Sequence, residues 1–268
     1  MQSIKDEYVP AKKARLKQEV EAAGGAHMAI VQVGHVESSD RYVRNKIKDC
    51  EDSMVKCDLI ALPDDVTQSE LLAKVRELNE NGSIDGFIVQ LPLPKGIDEE
   101  AVKQAISPDK DVDGFNVLSK TVPATPLGIF EYLKDQGFAF AGKNAVVIGR
   151  SGIVGRPMAK LLLDASCNVT VLHSKTSDAD RRRYVAGADL IVVATGHRLT
   201  LDSTFELKPT AVVIDVGINQ NPYTGKLCGD CEADLKVAFQ SPVPGGVGLL
   251  TRLSVIENLL ALKKLKSA

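Results

Sequence analysis

Tyr42 and Lys46 lie four residues apart in the segment DRYVRNK. In an α-helix this spacing places a phenol and an amine one above the other on the same face. An apolar stripe runs from Val43 to Met54 at helical spacing, so both polar side chains are expected at the edge of a buried face. A lysine there can exchange protons with a substrate and a tyrosine ring can stack on one. In the alternative interpretation, both side chains merely extend along the rim of the core.

A second group of candidate residues lies in NAVVIGRSGIVGRPMAKLLL, residues 144 to 163. An apolar strand leads into a turn with a glycine at every third position, and a helix follows. Glycines permit the tight turn, the close approach of a ligand and close packing, while the helix N-terminus offers free N–H groups to phosphate. Such turns also occur without ligands, but strand, turn and helix together favour a dinucleotide site. The candidate contacts are Gly149, Arg150, Ser151 and Gly155.

The residues after the next strand indicate which dinucleotide binds. In NAD-binding units an acidic side chain usually follows the second strand and holds the ribose hydroxyls. Here NVTVLH is followed by Ser174 and Lys175, with no carboxylate. Arg150, Ser174 and Lys175 could instead receive a 2′-phosphate, so the sequence predicts NADP. In the alternative interpretation they are solvated loop residues. Further cofactor contacts are expected where two later strands end, in ATG and DVGIN, and these are Thr195, Gly196 and Ile218.

Length and composition limit the class of protein. The chain has 268 residues and a net charge of −2, without a basic or acidic block, which argues against nucleic acid as a partner. No apolar run is long enough to span a membrane. The charged N-terminal segment lacks the apolar core of a signal peptide, so a cytoplasmic protein is expected.

The five cysteines favour reduced thiols because their number is odd and no export signal is evident. Cys228 and Cys231 form a C-x-x-C pair, but no second pair or nearby histidines complete a zinc site. We therefore expect no metal.

Short runs rich in valine and isoleucine alternate with helical patterns along most of the chain, which predicts parallel sheets covered by helices. The expected strands are HMAIVQVG, KCDLIAL, IDGFIVQL, NAVVIG, NVTVLH, ADLIVVAT and AVVIDVG. The alternation pauses at DVDGFNVLSKTVPATPLG, where we place a domain junction before a linking helix, PLGIFEYLKDQG. The prediction is an α/β protein with an N-terminal catalytic domain, residues 1–118 with a C-terminal helix at about 250–268. A Rossmann-like NADP domain, residues 119–249, follows, with a cleft between the two domains.

Several segments together resemble one family, the bifunctional methylenetetrahydrofolate dehydrogenase/cyclohydrolases. In the family's order they are YVRNK, DGFIVQLPLP, PDKDVDGF, TPLG, GRSGIVGRP, HSKT, ADLIVVATG, DVGIN and PVPGGVG. The resemblance implies a dehydrogenase that moves a hydride from the folate methylene to NADP, and a cyclohydrolase that adds water to the methenyl product. It also implies a homodimer.

The resemblance assigns roles to individual residues. Lys46 resembles the catalytic lysine, Tyr42 the ring that stacks on the folate, and Gln90 the glutamine that hydrogen-bonds the lysine. Asp113 resembles the aspartate that grips the pterin. Taken singly, Gln90 could satisfy loop backbone and Asp113 could cap a turn with the next glycine. The loop along the folate corresponds to Pro244, Gly245 and Gly246.

The chain also departs from the family pattern. The segment after DGF is shorter than usual, Ala124 replaces a cysteine, and Leu249 and Leu250 replace a Pro-Met pair. These changes affect the expected rim of the folate site. Two alternatives stay open. One is an NADP dehydrogenase of this fold that has lost the hydrolytic step or acts on another substrate, and the other is a folate- or nucleotide-binding protein without turnover.

Overall fold

A computed structural model describes residues 1–35 and 37–267, without the side chains of residues 37, 38 and 267. The chain divides into two compact units. Unit 1 consists of Met1–Val9 and Thr125–Thr251, and unit 2 consists of Pro10–Ala124 and the C-terminal segment from Arg252.

Unit 2 contains a parallel sheet of three strands in the order β2-β1-β3. The strands are β1 (Ala26–Val33), β2 (Val55–Leu62) and β3 (Gly86–Val89). Valine and alanine side chains of β1 pack with β3 against leucines and a valine of the helix that follows β2. β1 and β3 are buried along nearly their whole length, as expected for parallel strands covered on both faces.

Unit 1 contains a parallel sheet of five strands in the order β10-β7-β6-β4-β5. The strands are β4 (Asn144–Ile148), β5 (Asn168–Leu172), β6 (Leu190–Val193), β7 (Val212–Asp215) and β10 (Phe239–Gln240). Alternate residues of the central strands enter two separate apolar clusters, one on each face of the sheet. A short antiparallel hairpin joins β8 (Asn219–Gln220) to β9 (Leu227–Cys228).

Helices lie before the first strand, in several of the connections up to β6, and after the last strand. After a π-type turn at Ile4–Tyr8, they are α1 (Val9–Ala22), α2 (Glu37–Asp52), α3 (Gln68–Glu80), α4 (Glu99–Ala105), α5 (Ala124–Asp135), α6 (Gly155–Asp164), α7 (Asp178–Ala186) and α8 (Val247–Ser267). Thr67 caps α3 in a capping box with Glu70, and Ser177 caps α7. Within the described residues, no helix is both long enough and apolar enough to cross a membrane.

The α/β prediction with parallel sheets is confirmed, and each of the seven expected strands is present. The predicted start of α2 is wrong, because Ser39 and Asp40 lie inside the helix and do not cap it. The side chain of Ser38, the third expected cap, lies outside what the structure describes. Asp40 instead accepts a hydrogen bond from Gln32 of β1. The predicted domain limits stay a prediction, although residues 1–9 group with unit 1.

Candidate active site

Helix α2 presents Tyr42 and Lys46 one turn apart, as the spacing predicts. Lys46 is buried, with 9% of its surface exposed, whereas Tyr42 is 38% exposed. The predicted apolar stripe is correct at Val43 and Cys50 but wrong at Met54, which follows the helix and is exposed. Lys46 is thus more deeply buried than a side chain that extends along the rim, and its amine needs polar partners.

Gln90 supplies such a partner. It follows β3, and its backbone N–H donates to Val31 O of β1 at 2.8 Å. Its side-chain Nε2 donates to Leu91 O at 2.6 Å, which turns Oε1 toward α2. Lys46 Nζ donates to that Oε1 at 3.0 Å. The hydrogen bond expected between Lys46 and Gln90 is therefore present.

Asp113 offers a carboxylate near the same lysine. Its side chain is half-buried and makes no hydrogen bond to any residue of the described ranges. Burial raises the pKa of the Asp113 carboxyl, while the charge of Lys46 acts to lower it. An unpaired carboxyl in a partly buried position is suited to binding a ligand that brings its own donors.

Asp111, which the sequence analysis missed, performs the turn function considered for Asp113. Its Oδ1 accepts Gly114 N at 3.0 Å and its Oδ2 accepts Asn116 N at 2.8 Å. Gly114 has a φ of 73°, and a Cβ there would lie 2.7 Å from Pro123 N. Burial raises the pKa of Asp111 to about 6. The aspartate three residues before a glycine is the sequence signal that could have identified this turn.

The shortened segment after Asp113 is tightly hydrogen-bonded. Asn116 Nδ2 donates to Gln104 O at 3.0 Å and to Ile106 O at 2.9 Å. Val117 and Leu118 follow and are 83% and 73% exposed. The segment is therefore an anchored turn that carries two apolar side chains at its surface.

The glycine-rich turn of unit 1 connects β4 to α6. Gly149 has a φ of 121°, and a Cβ there would overlap Ala194 O at the end of β6. A Cβ on Gly155 would overlap Gly149 O, so Gly155 allows the helix to pack on the turn. A Cβ on Gly152 would meet no atom within 4 Å, so packing within the chain does not require glycine there.

The same turn fits a phosphate-bearing cofactor. Ser151 Oγ accepts Val154 N at 3.2 Å and Gly155 N at 3.3 Å, which ties the turn to the start of α6. The backbone N–H groups of residues 151–153 have no acceptor in the described part of the chain. Free N–H groups at a helix start, beside a glycine with open space, are a suitable arrangement for a pyrophosphate.

Arg150, Ser174 and Lys175 are exposed, and no side-chain hydrogen bond or ion pair of theirs occurs among the described residues. The loop that holds Ser174 is ordered by its neighbours, because His173 N donates to Thr176 Oγ1 at 3.0 Å and Thr176 N donates to His173 O at 2.9 Å. Three unpaired donors at two adjacent strand ends suit an extra phosphate group.

Thr195, Gly196 and Ile218 follow the adjacent strands β6 and β7. Thr195 N and Gly196 N donate to Asp230 Oδ2 at 2.6 and 2.9 Å. Ile218 is 54% exposed, which leaves its side chain available to a ligand. Asp230 was not among the predicted site residues, although it lies between the two cysteines of the C-x-x-C pair.

The PVPGG loop precedes α8 in unit 1. Gly245 has a φ of 98°, a left-handed conformation that favours glycine. A Cβ on Gly246 would overlap Pro242 O, so the loop folds closely on itself. Pro244 is exposed at its tip.

Cys228 and Cys231 are free thiols in unit 1, with Cys231 buried. Burial and the charge of Asp215 raise the pKa of Cys231 far above its ordinary value, so it is a poor metal ligand. No group of three or more potential metal ligands occurs within the described residues.

Two family models match the chain. The catalytic domain of tetrahydrofolate dehydrogenase/cyclohydrolase matches residues 3–113, and the NAD(P)-binding domain of the same family matches residues 123–267. Among curated proteins, a bifunctional protein FolD from Listeria innocua is 46% identical over 249 residues, which cover 88% of this chain and 86% of that protein.

Solved structures give the same assignment. The bifunctional FolD methylenetetrahydrofolate dehydrogenase/cyclohydrolase from Campylobacter jejuni is 37% identical with a TM-score of 0.91, covering 97% of this chain and 96% of that one. The Trypanosoma brucei methylenetetrahydrofolate dehydrogenase-cyclohydrolase, solved with NADP and an inhibitor, is 32% identical with a TM-score of 0.89 and the same coverage. The chain therefore belongs to the tetrahydrofolate dehydrogenase/cyclohydrolase family.

Proposed function

We propose that this chain oxidises methylenetetrahydrofolate to methenyltetrahydrofolate with NADP and hydrolyses the product to formyltetrahydrofolate. The observation that carries the proposal is the hydrogen bond from buried Lys46 to Gln90, beside the unpaired carboxyl of Asp113. An amine, an amide and a carboxylate at one place can hold a polar heterocycle and move a proton beside it.

In unit 2 each residue has a distinct role. Tyr42 presents its ring to the folate, and Lys46 handles the proton when water adds to the methenyl carbon. Gln90 holds the lysine amine in place. Asp113 accepts hydrogen bonds from the amino and ring N–H groups of the pterin, because a carboxylate accepts both in one plane.

In unit 1 the residues bind and orient the cofactor. NADP, when bound, accepts the hydride from the folate methylene. The N–H groups beginning at Ser151 receive the pyrophosphate, with Gly149 and Gly155 shaping the turn. Arg150 and Ser174 bind the 2′-phosphate. The remaining contacts are Thr195, Gly196 and Ile218 for the cofactor, and Pro244, Gly245 and Gly246 for the folate.

The shortened segment after Asp113 favours one alternative, a dehydrogenase without the hydrolytic step. That segment presents exposed Val117 and Leu118 close in sequence to the carboxylate that is expected to grip the pterin. A changed rim can alter how long the methenyl product stays near Lys46, and hydrolysis depends on that time.

One assay separates these possibilities. The protein is mixed with methylenetetrahydrofolate and NADP, and NADPH and methenyltetrahydrofolate are quantified together over time. NADPH with little methenyl product indicates both activities, whereas accumulation of the methenyl compound indicates the dehydrogenase alone. Formation of neither compound would refute the proposed function.

The role of Lys46 is tested by Lys46→Met, which keeps the length of the side chain and removes its amine. Hydrolysis should fall by about a hundredfold to ten-thousandfold, while measurable dehydrogenase activity remains and methenyl product accumulates. Lys48→Met is the matched control, because Lys48 lies on the same helix and is exposed. Hydrolysis by Lys46→Met at the wild-type rate would show that Lys46 is not the proton-handling group.

We also propose a homodimer in the cytoplasm. The five cysteines are free thiols, which suits a reducing compartment and supports the location, and the family resemblance supports the dimer. Light scattering on the eluting protein measures the mass, and a value of 28.8 kDa would contradict the dimer because it is the mass of one chain.

A further inference from the structure

A buried carboxylate lies beneath the ends of two neighbouring strands in unit 1. Asp230 is fully buried, with 0% of its surface exposed. Its Oδ2 accepts Thr195 N at 2.6 Å, Gly196 N at 2.9 Å and Thr195 Oγ1 at 2.9 Å. Its Oδ1 accepts Asn219 Nδ2 at 2.8 Å. One side chain therefore joins the loop after β6 to Asn219, which begins β8 at the end of the loop after β7.

The backbone around this carboxylate is shaped to admit it. A Cβ on Gly217 would overlap Asp230 Oδ1, so only glycine fits beside the carboxylate on that side. Asp215, at the end of β7, accepts Asp230 N at 2.9 Å and Cys231 N at 2.9 Å. A Cβ on Gly229 would overlap the Asp215 carboxylate. The two glycines leave room for the two carboxylates, and Asp215 holds the backbone at Asp230. These contacts fix the position of the Asp230 side chain.

In a sheet of this kind a dinucleotide lies across the crevice beyond the carboxyl ends of the strands. The phosphate-binding turn follows β4, and β6 and β7 lie beyond β4 on the side opposite β5. The adenosine end of the cofactor belongs above β5, so its nicotinamide end belongs above β6 and β7. The loops that Asp230 joins are the ones that would meet the nicotinamide half.

We propose that Asp230 is a positioning residue for the cofactor, acting through the loops after β6 and β7. The inference rests on the proposed function, because it requires NADP to bind at these strand ends. Asp230 does not touch the cofactor. It fixes the backbone at Thr195 and Gly196 relative to Asn219, and so keeps the nicotinamide half of the site in one shape.

A carboxylate suits this position because all four of its bonds are accepted and none is donated. In Asp230→Asn one acceptor oxygen becomes an NH₂ group. If the remaining oxygen still accepts from Thr195 N and Gly196 N, the new NH₂ group faces the NH₂ group of Asn219, and neither can accept from the other. If Asn219 turns its amide over, it loses its bond to Gly229 O, which is 3.0 Å long. The first arrangement breaks the connection between the loops, and the second weakens it because Gly229 O loses its donor.

The test compares Asp230→Asn with Glu232→Gln. Glu232 lies two residues away, and within the described residues its carboxylate hydrogen-bonds Ser203, whose N–H donates to it at 2.6 Å. It therefore tests the same chemical change outside the connection between the two loops. For Asp230→Asn the KM for NADP should rise about tenfold to a hundredfold, while the KM for methylenetetrahydrofolate changes by less than about threefold. Glu232→Gln should leave both constants unchanged. Calorimetry with NADP alone should show that the Kd of Asp230→Asn for NADP exceeds that of wild type by the same factor as the KM does.

Asn219→Ala is the second variant, should Asp230→Asn fold poorly. It removes the donor from the β7 side and leaves Asp230 Oδ1 and Gly229 O without that donor, while Oδ2 keeps its bonds to the loop after β6. Its KM for NADP should rise about threefold to tenfold. If both variants fold and bind NADP within twofold of wild type, Asp230 does not position the cofactor. An equal rise in both KM values would also overturn the inference, since it would indicate a general loss of structure. Failure of the wild-type chain to bind NADP would instead overturn the proposed function and the inference with it.

Discussion

The two candidate sites are built from different parts of the polypeptide. In unit 1 the main chain supplies most of the proposed contacts, because free N–H groups follow Gly149 and buried aspartates hold the backbone of the loops. In unit 2 side chains supply them. Lys46, Gln90 and Asp113 come from three separate segments, and a hydrogen bond and an electrostatic interaction bring them together.

This difference determines what each site tolerates. A site made of N–H groups loses little when one side chain is truncated, but it depends on glycines whose Cβ would overlap the backbone. A site made of three side chains has no such redundancy, since each group performs a task that the other two cannot. Substitutions of side chains should therefore be more damaging in unit 2 than in unit 1.

The largest effect on both reactions together is expected for Asp113→Asn. The amide would present a donor where the pterin also presents one, so kcat/KM for both reactions should fall by about a hundredfold to a thousandfold. NADP binding should be retained, because the cofactor residues lie in unit 1. The measurement is a pair of steady-state assays together with calorimetry for NADP.

Asp109→Asn is the control for this variant, since Asp109 lies in the same segment and its partner is the exposed Lys120, at 2.6 Å. Survival of both activities in Asp113→Asn would show that this carboxyl does not bind the folate. The site in unit 2 would then depend less on its side chains than the comparison with unit 1 predicts.

A smaller effect is expected for Arg150→Ala in unit 1. Loss of one charge-assisted contact should weaken NADP by about tenfold to a hundredfold and change NAD binding little, because the pyrophosphate keeps its N–H donors. Affinities for the two cofactors are measured side by side. Arg183→Ala removes an exposed positive charge elsewhere in unit 1 and serves as control. Equal losses for NADP and NAD would show that Arg150 does not contact the 2′-phosphate.

Sequence patterns predicted the sheets well because burial on both faces produces continuous valine- and isoleucine-rich runs. The short strands β8, β9 and β10 were missed, since two-residue strands carry no periodic signal. The cap of α2 was also missed. Ser39 and Asp40 have suitable side chains for a cap, but the bond between Asp40 and Gln32 of β1 is a tertiary contact that local sequence does not reveal.

The two sites also differ in how far local sequence predicts them. The glycine turn is a local motif, so its spacing alone indicated a nucleotide site. Lys46 and Gln90 lie 44 residues apart, and only the family resemblance connected them before the structure did. Asp111 and Asp230 were missed because they bind backbone N–H groups within the protein. Such carboxylates hold in place the residues that are expected to contact the ligand. A sequence motif for ligand binding identifies the contacting residues and not the residues that support them.

Asp111 provides a prediction about stability, where the effect should be smallest. Burial raises its folded-state pKa from 3.8 to about 6, so the folded protein holds this proton more tightly than the unfolded chain does. Stability rises with pH only where the unfolded state binds more protons, and here the folded state binds more. Asp111 therefore lowers the free energy of unfolding as pH rises from about 4 to about 6, and the loss is complete above that range.

The measurement compares wild type with Asp111→Asn, which has no proton to exchange at this position. Other carboxyl groups titrate in both proteins, so most of their contributions cancel in the difference between the two free energies of unfolding. The full pKa difference corresponds to about 3 kcal/mol, of which about 1 kcal/mol falls between about pH 5 and pH 7. Denaturant unfolding should show that the free energy of unfolding of the wild type falls by this amount relative to that of the variant over that interval.

A difference between the two proteins that stays constant with pH would mean that Asp111 is ionised as easily as an exposed carboxyl. The turn beside Asp113 would then be more accessible to water than the burial of Asp111 indicates, and the side-chain site of unit 2 would be less rigid than its hydrogen bonds require.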